Sequence, residues 1–100
     1  MIVLRFRAQV RPDRVDEVAS AFAAVVPPSR RVEGVLHFDV GRDVGDANTF
    51  IATEVFKDAE ARARQESLAE VAEVMRLLPD ALAAPPEATV YHVQSSEPAM

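Results

Sequence analysis

A glutamate set between two phenylalanines is the most chemically suggestive feature of this sequence. In Thr49-Phe50-Ile51-Ala52-Thr53-Glu54-Val55-Phe56, β-branched and aromatic residues run without Gly or Pro, which reads as a strand. Side chains alternate along a strand, so Phe50, Ala52, Glu54 and Phe56 share one side. Burial among apolar groups disfavours the charged carboxylate, raises its pKa and makes it a better base near neutrality. The competing reading is a structural carboxylate paired with Arg5, Arg7 or Arg42, because buried charges are normally paired.

Few other residues can share such chemistry. His37 is either a second base or an ordinary interface histidine. Gln65 either interrupts an apolar helix face with an amide that orients a ligand oxygen, or is a polar residue at a helix end. Tyr91 can hydrogen-bond a ligand or rest its hydroxyl at an interface. Phe6, Phe22, Phe38, Phe50 and Phe56 are mainly core, with Phe56 also able to line an aromatic pocket. The chain has two histidines and no cysteine. No metal site is expected, because neither histidine has a ligand partner at helical or short spacing. The absence of cysteine excludes a disulfide framework, a thiolate nucleophile and a zinc-thiolate or iron–sulfur site.

Composition narrows the class further. The 100 residues are 49% hydrophobic, enough for one compact domain with a modest core. The formal charge is −5 and no basic stripe is present, which argues against nucleic acid as a partner. Arg30-Arg31 reads as a solvated connector. The three glycines are too dispersed for a phosphate-binding loop. Apolar runs fall far short of the ~20 residues that span a bilayer. The opening MIVLRFRAQV reads as a strand and not a signal peptide, so a cytoplasmic protein is expected.

The elements that must position these residues follow from periodicity. Ile2, Leu4, Phe6, Ala8 and Val10 alternate with Val3, Arg5, Arg7 and Gln9 as a half-buried strand. Pro12 suits a helix start, Val15, Val18, Phe22 and Val25 form one apolar face, and Pro27-Pro28 is expected to stop that helix. Glu33-Gly34 turns into a second strand, with Leu36, Phe38 and Val40 on one side and Val35, His37 and Asp39 on the other. A polar loop containing Gly41, Gly45 and Asp46-Ala47-Asn48 predicts a long-looped hairpin to the Glu54 strand. Asp58 caps a second helical region. Ser67-Leu68-Ala69-Glu70 has the form of a capping box and predicts a break near Glu66–Ser67. Leu68, Val71, Met75 and Leu78 then form a stripe, Pro79 ends or restarts the helix, and residues 88–93 make a last strand. Residues 1–95 thus form the domain and 96–100 a frayed tail.

The order β-α-β-β-α-β is the ferredoxin-like α+β arrangement, a four-stranded antiparallel sheet with both helices on one face. The uncovered face should then be polar in a monomer. Apolar residues occur on both sides of the Glu54 strand, and Val3 and Val90 extend this to the first and last strands. A homodimer closing two sheets face to face is the expected partner arrangement.

With Glu33-Gly34, Phe38, Phe50 and Glu54-Val55-Phe56 followed by Asp58 in this order, residues 2–93 resemble the antibiotic biosynthesis monooxygenase family of dimeric α+β barrels. The resemblance implies an oxygenase that needs no cofactor and acts on a small aromatic of anthrone or quinol type. Glu54 or His37 would be the base, Gln65 or Tyr91 the hydrogen-bond donor, and Phe56, Phe38, Phe22 and Tyr91 the lining of the binding site. It equally allows a non-catalytic ligand-binding or stress-related dimer. Phe56 stands where the family often has Trp, and Gln65 where it often has a helix histidine. A neutral amide neither ligates haem iron well nor carries a proton at pH 7, so haem degradation is not expected.

Overall fold

A computed structural model describes residues 1–100. Strand β1 is Ile2–Gln9, and a 3₁₀ turn at Pro12–Arg14 leads into helix α1, Val15–Arg30. Strands β2, Val35–Asp43, and β3, Asp46–Phe56, form a hairpin. Helices α2, Ala59–Glu66, and α3, Ala69–Ala81, precede strand β4, Glu87–His92. The sheet order is β2-β3-β1-β4 with every neighbour antiparallel. This is the ferredoxin-like α+β fold, with its second helix in two pieces.

The side of the sheet facing the helices carries the core. Val18, Phe22 and Val25 of α1 and Val74, Leu78 and Ala81 of α3 pack with Val10, Phe38 and Phe50. Phe56, Ile2 and Ala61 form a smaller cluster beneath α2. Gly34 has φ +88°, and a Cβ there would lie 2.6 Å from the Ala61 Cβ. Glycine is therefore required both for the backbone conformation and for the close approach of α2.

Several local expectations are corrected. The hairpin is short: β2 and β3 continue to Asp43 and Asp46, leaving only Val44 and Gly45 between them. The polar residues read as a loop instead hold the turn, with Gly45 N–H donating to Asp43 Oδ1 at 2.9 Å and Thr49 Oγ1 to Asp46 Oδ2 at 2.7 Å.

Pro27 and Pro28 lie inside α1 and do not end it. They deprive the Ala23 and Ala24 carbonyls of helical partners, but both residues are exposed and water can substitute. Pro79 sits within α3 for the same reason, its orphaned carbonyl belonging to exposed Met75.

The expected break between α2 and α3 occurs, but the capping box does not form. Ser67 Oγ donates back to the Arg64 carbonyl at 2.7 Å and so finishes α2, while α3 begins at Ala69 with Leu68 at its N-cap and no side-chain cap.

Finally, a register shift between Val35 and His37 turns Val35 toward Phe56 and leaves Leu36 half exposed. Val90 packs on the helix side against the small cluster, so it does not contribute to the uncovered face. That face carries the row His37, Val55, Val3, Tyr91 and beside it Asp39, Thr53, Arg5, Thr89. Arg30, expected to be merely solvated, ties the end of α1 to β2 by donating to the Phe38 carbonyl and Asp39, each at 2.9 Å.

Candidate functional site

Glu54 projects from the C-terminal part of β3 toward the helices, flanked across the sheet by Phe38 and Leu4. Above it lies a cavity of about 510 Å³. Its floor is Leu4, Phe6, Ala52 and Glu54, and its roof is formed by Phe22 and Val25 of α1 with Val71, Val74 and Leu78 of α3. Ala52 and Ala88 are the reason there is room, since both are small residues in the row that also contains Phe6. Arg62, Gln65 and Glu66 of α2 supply a polar edge. An apolar chamber with a few convergent polar groups is the usual form of a small-molecule site, and this volume lies within the usual range of about 300–1,000 Å³.

Burial pushes the Glu54 carboxyl up to about 7, the like charge of Glu66 adds to the rise, and Arg62 partly offsets it. None of the three arginines suggested as mates reaches it. Arg7 pairs with Asp43 at 3.0 Å, Arg5 is exposed on the opposite face, and the Arg42 guanidinium sits 5.2 Å from the centre of the Phe50 ring. Arg62 is paired with Glu66. The Glu54 carboxyl therefore faces the cavity without an ion-pair partner of its own.

Gln65 is 2% exposed despite lying one residue from the end of α2. Its Nε2 donates to Oγ of Ser29, a residue of α1 with no exposure, at 3.0 Å. No fully buried side-chain N or O lacks a partner in this protein. The amide oxygen, which has none within the chain, is consequently open to the cavity that Gln65 lines.

Phe38 and Phe22 line the chamber, and Phe22 stacks obliquely against Phe50 with centroids 5.3 Å apart. Phe56 does not join them: it is wholly buried in the small cluster with Ile2 and Ala61. His37 and Tyr91 are on the other side of the sheet, in one row with Val55 and Val3, because their parity along β2 and β4 points them away from the helices. Within one chain neither can act as base or donor beside Glu54. A smaller hollow of about 250 Å³ beside His37 is bounded by Arg30 and residues 35–39.

Three polar residues of the site, Arg62, Glu66 and Ser29, were missed from the sequence. Arg62 could have been found, since positions 62, 65 and 66 share a helix face. Ser29 gives no local signal, being 36 positions from Gln65. No group of three or more His, Cys, Asp or Glu side chains is placed to hold a metal ion.

The fold is shared with solved proteins. A candidate antibiotic biosynthesis monooxygenase from Nitrosomonas europaea superposes with a TM-score of 0.86 over 95% of this chain and all of its own, at 22% identity. Rv0793 from Mycobacterium tuberculosis gives 0.86 over 95% and 96% of the two chains, at 16% identity. At these identities the likeness is one of fold. YcnE of Bacillus subtilis (strain 168), designated a candidate monooxygenase, is 38% identical over 61 residues. That match spans 61% of this chain and 64% of YcnE, less than two thirds of the relative's length. The family model for antibiotic biosynthesis monooxygenase matches residues 1–77. The chain belongs to the antibiotic biosynthesis monooxygenase family.

Proposed function

We propose that this protein is a homodimeric monooxygenase that oxidises a small, electron-rich aromatic in the chamber above Glu54, without a bound cofactor. The observation that carries the reading is a carboxyl poised near neutrality on the wall of an apolar cavity. An anthrone-type substrate loses a proton to the Glu54 carboxylate. The resulting anion is electron-rich enough to pass one electron to O₂, and recombination of the two radicals forms a C–O bond. The hydroperoxide then loses water, so that a CH₂ group and O₂ become C=O and H₂O. The chain's part is to exclude water, accept the proton at Glu54 and steady the developing oxyanion. Arg62 is the donor at the cavity able to do the last, in place of Tyr91.

Incubating the purified protein with anthrones and quinols under oxygen, without flavin or metal, tests this. Oxygen uptake with formation of the corresponding quinone is expected. Glu54→Gln should lower turnover by about 10²-fold or more while the protein stays folded. Unchanged substrate across the panel overturns the catalytic reading. In that case the rival is a non-catalytic binding dimer, favoured by one observation: Gln65 cannot carry the proton that a histidine would.

The uncovered sheet face supports the dimer. Val3, Val55 and Tyr91 expose apolar surface amid Arg5, Thr53 and Thr89, a mixture suited to a second copy of the chain.

A further inference from the structure

The Gln65 amide is normally counted as one hydrogen-bonding group, but its partner makes it two. Ser29 is completely enclosed, and its hydroxyl has Gln65 as its side-chain partner across 3.0 Å. A hydroxyl both donates and accepts. If Nε2 faces Ser29, the hydroxyl accepts and the amide oxygen faces the cavity. If the amide is turned over, the hydroxyl donates to the oxygen and the NH₂ faces the cavity. Both arrangements leave the inner end of the amide paired with the Ser29 hydroxyl, so neither orphans the buried Nε2 or Oε1. A site whose inner partner were a backbone N–H or a lysine would be locked in one sense.

We infer that Ser29 is a positioning residue that lets Gln65 serve as acceptor to a ligand hydroxyl or as donor to a ligand carbonyl in the same chamber. The inference rests on the cavity being a ligand site, as proposed above, and it adds a function for the Ser29–Gln65 pair. Oxidation of a phenolic O–H to C=O turns a ligand donor into an acceptor, and oxidation of a CH₂ creates an acceptor where there was none. A fixed partner would favour one side of that change, whereas a reversible amide accommodates both. Glu54 and Arg62 also face the chamber and can each meet a ligand group. The test must therefore isolate the amide.

Three air-stable probes of similar size do so: 1-naphthol, which donates, 1-tetralone, which only accepts, and naphthalene, which does neither. Affinities are measured by calorimetry on the intact protein, with the tetralone carbonyl stretch recorded in the complex. In the unsubstituted protein, naphthol and tetralone should each bind about 3–10-fold more tightly than naphthalene, the worth of one hydrogen bond. The tetralone stretch should move to lower frequency. A Ser29→Ala/Gln65→Met double variant removes both polar partners together, so no orphan is left, and retains Glu54 and Arg62. It should lose the tetralone advantage and the frequency shift while still binding naphthalene. Ser29→Thr keeps the hydroxyl and should keep both preferences, whereas Ser29→Ala should weaken naphthol and tetralone relative to naphthalene. A structural role alone would change thermal stability and leave those ratios intact. The inference is overturned if tetralone binds no better than naphthalene, or if the double variant retains the tetralone advantage. Failure of all three probes to bind overturns the cavity reading as well, a pattern distinct from loss of selectivity.

Discussion

At the scale of single residues, Glu54 is the ionisable group whose pKa is moved far from its ordinary value. Its carboxyl is raised from 4.5 to about 7 chiefly by burial, with Glu66 second. Below pH 4.5 the group is neutral in the folded and unfolded chain alike and costs nothing. Between about 4.5 and 7 the unfolded chain ionises first, so stability falls as pH rises, and the deficit is complete above the folded pKa. At full size it amounts to about 3 kcal/mol. Glu54→Gln removes the ionisation while keeping the shape. Denaturant titrations should find the variant more stable than the parent by about 1–3 kcal/mol at pH 8, with the two converging near pH 4. A constant difference at all pH values would show that the carboxyl is not held out of water.

At the scale of elements, the approach of α2 to the start of β2 is the tightest constraint. Arg64 donates to the Glu33 carbonyl at 2.7 Å, and Lys57 N–H to the Gly34 carbonyl at 2.8 Å, so the segment is pinned from two sides. Gly34→Ala adds a Cβ 2.6 Å from the Ala61 Cβ at a positive φ. We expect a loss of about 1–3 kcal/mol in equilibrium unfolding, from backbone strain and from displacement of α2, which carries Arg62, Gln65 and Glu66. At the opposite end of the same connection, the Asp58 carboxylate accepts from Ala61 N–H at 2.9 Å. Asp58→Ala should cost about 1 kcal/mol through the lost cap. It should leave the fold intact, as circular dichroism would confirm. The break after Glu66 was legible in the sequence, but the residues responsible were read in the wrong sense. Ser67 serves the carbonyls behind it, because a hydroxyl can donate backward as readily as it accepts forward. The prolines misled for a similar reason: the rule against helix-interior proline concerns buried, unsatisfied carbonyls, and those of Ala23, Ala24 and Met75 belong to exposed residues.

At the scale of the whole molecule, the helices cover one face of the sheet and leave the other bare. Four strands with Val3, Val55 and Ile51 on that bare face have little reason to remain single in water. Sedimentation at micromolar concentration should give twice the chain mass. Val55→Arg places a charge in the apolar row of the face, among Val3 and Tyr91, where a covering copy would have to bury it. The variant should sediment as a folded monomer. A parent protein that is already monomeric would overturn the dimer. Strand β4 is also exposed on its helix side at Ala88 and His92, so the chamber opens toward this edge.

The sequence by itself determined the strand and helix order, that Glu54 shares a side with Phe50, Ala52 and Phe56, and the family signals around Glu33-Gly34 and Glu54-Val55-Phe56. These depend on period and turn chemistry, which are local and survive in a linear string. Which polar groups meet is non-local. The pairing of Ser29 with Gln65 and the failure of any arginine to reach Glu54 depend on how α1 and α2 settle over the sheet. So do the exclusion of Phe56 from the chamber and the removal of His37 and Tyr91 to the far face. Strand parity hinted at the last, but only the joined register placed His37, Val55, Val3 and Tyr91 in one row. Close packing leaves each buried polar atom one or two neighbours, and distances of a few ångströms between distant segments decide which they are.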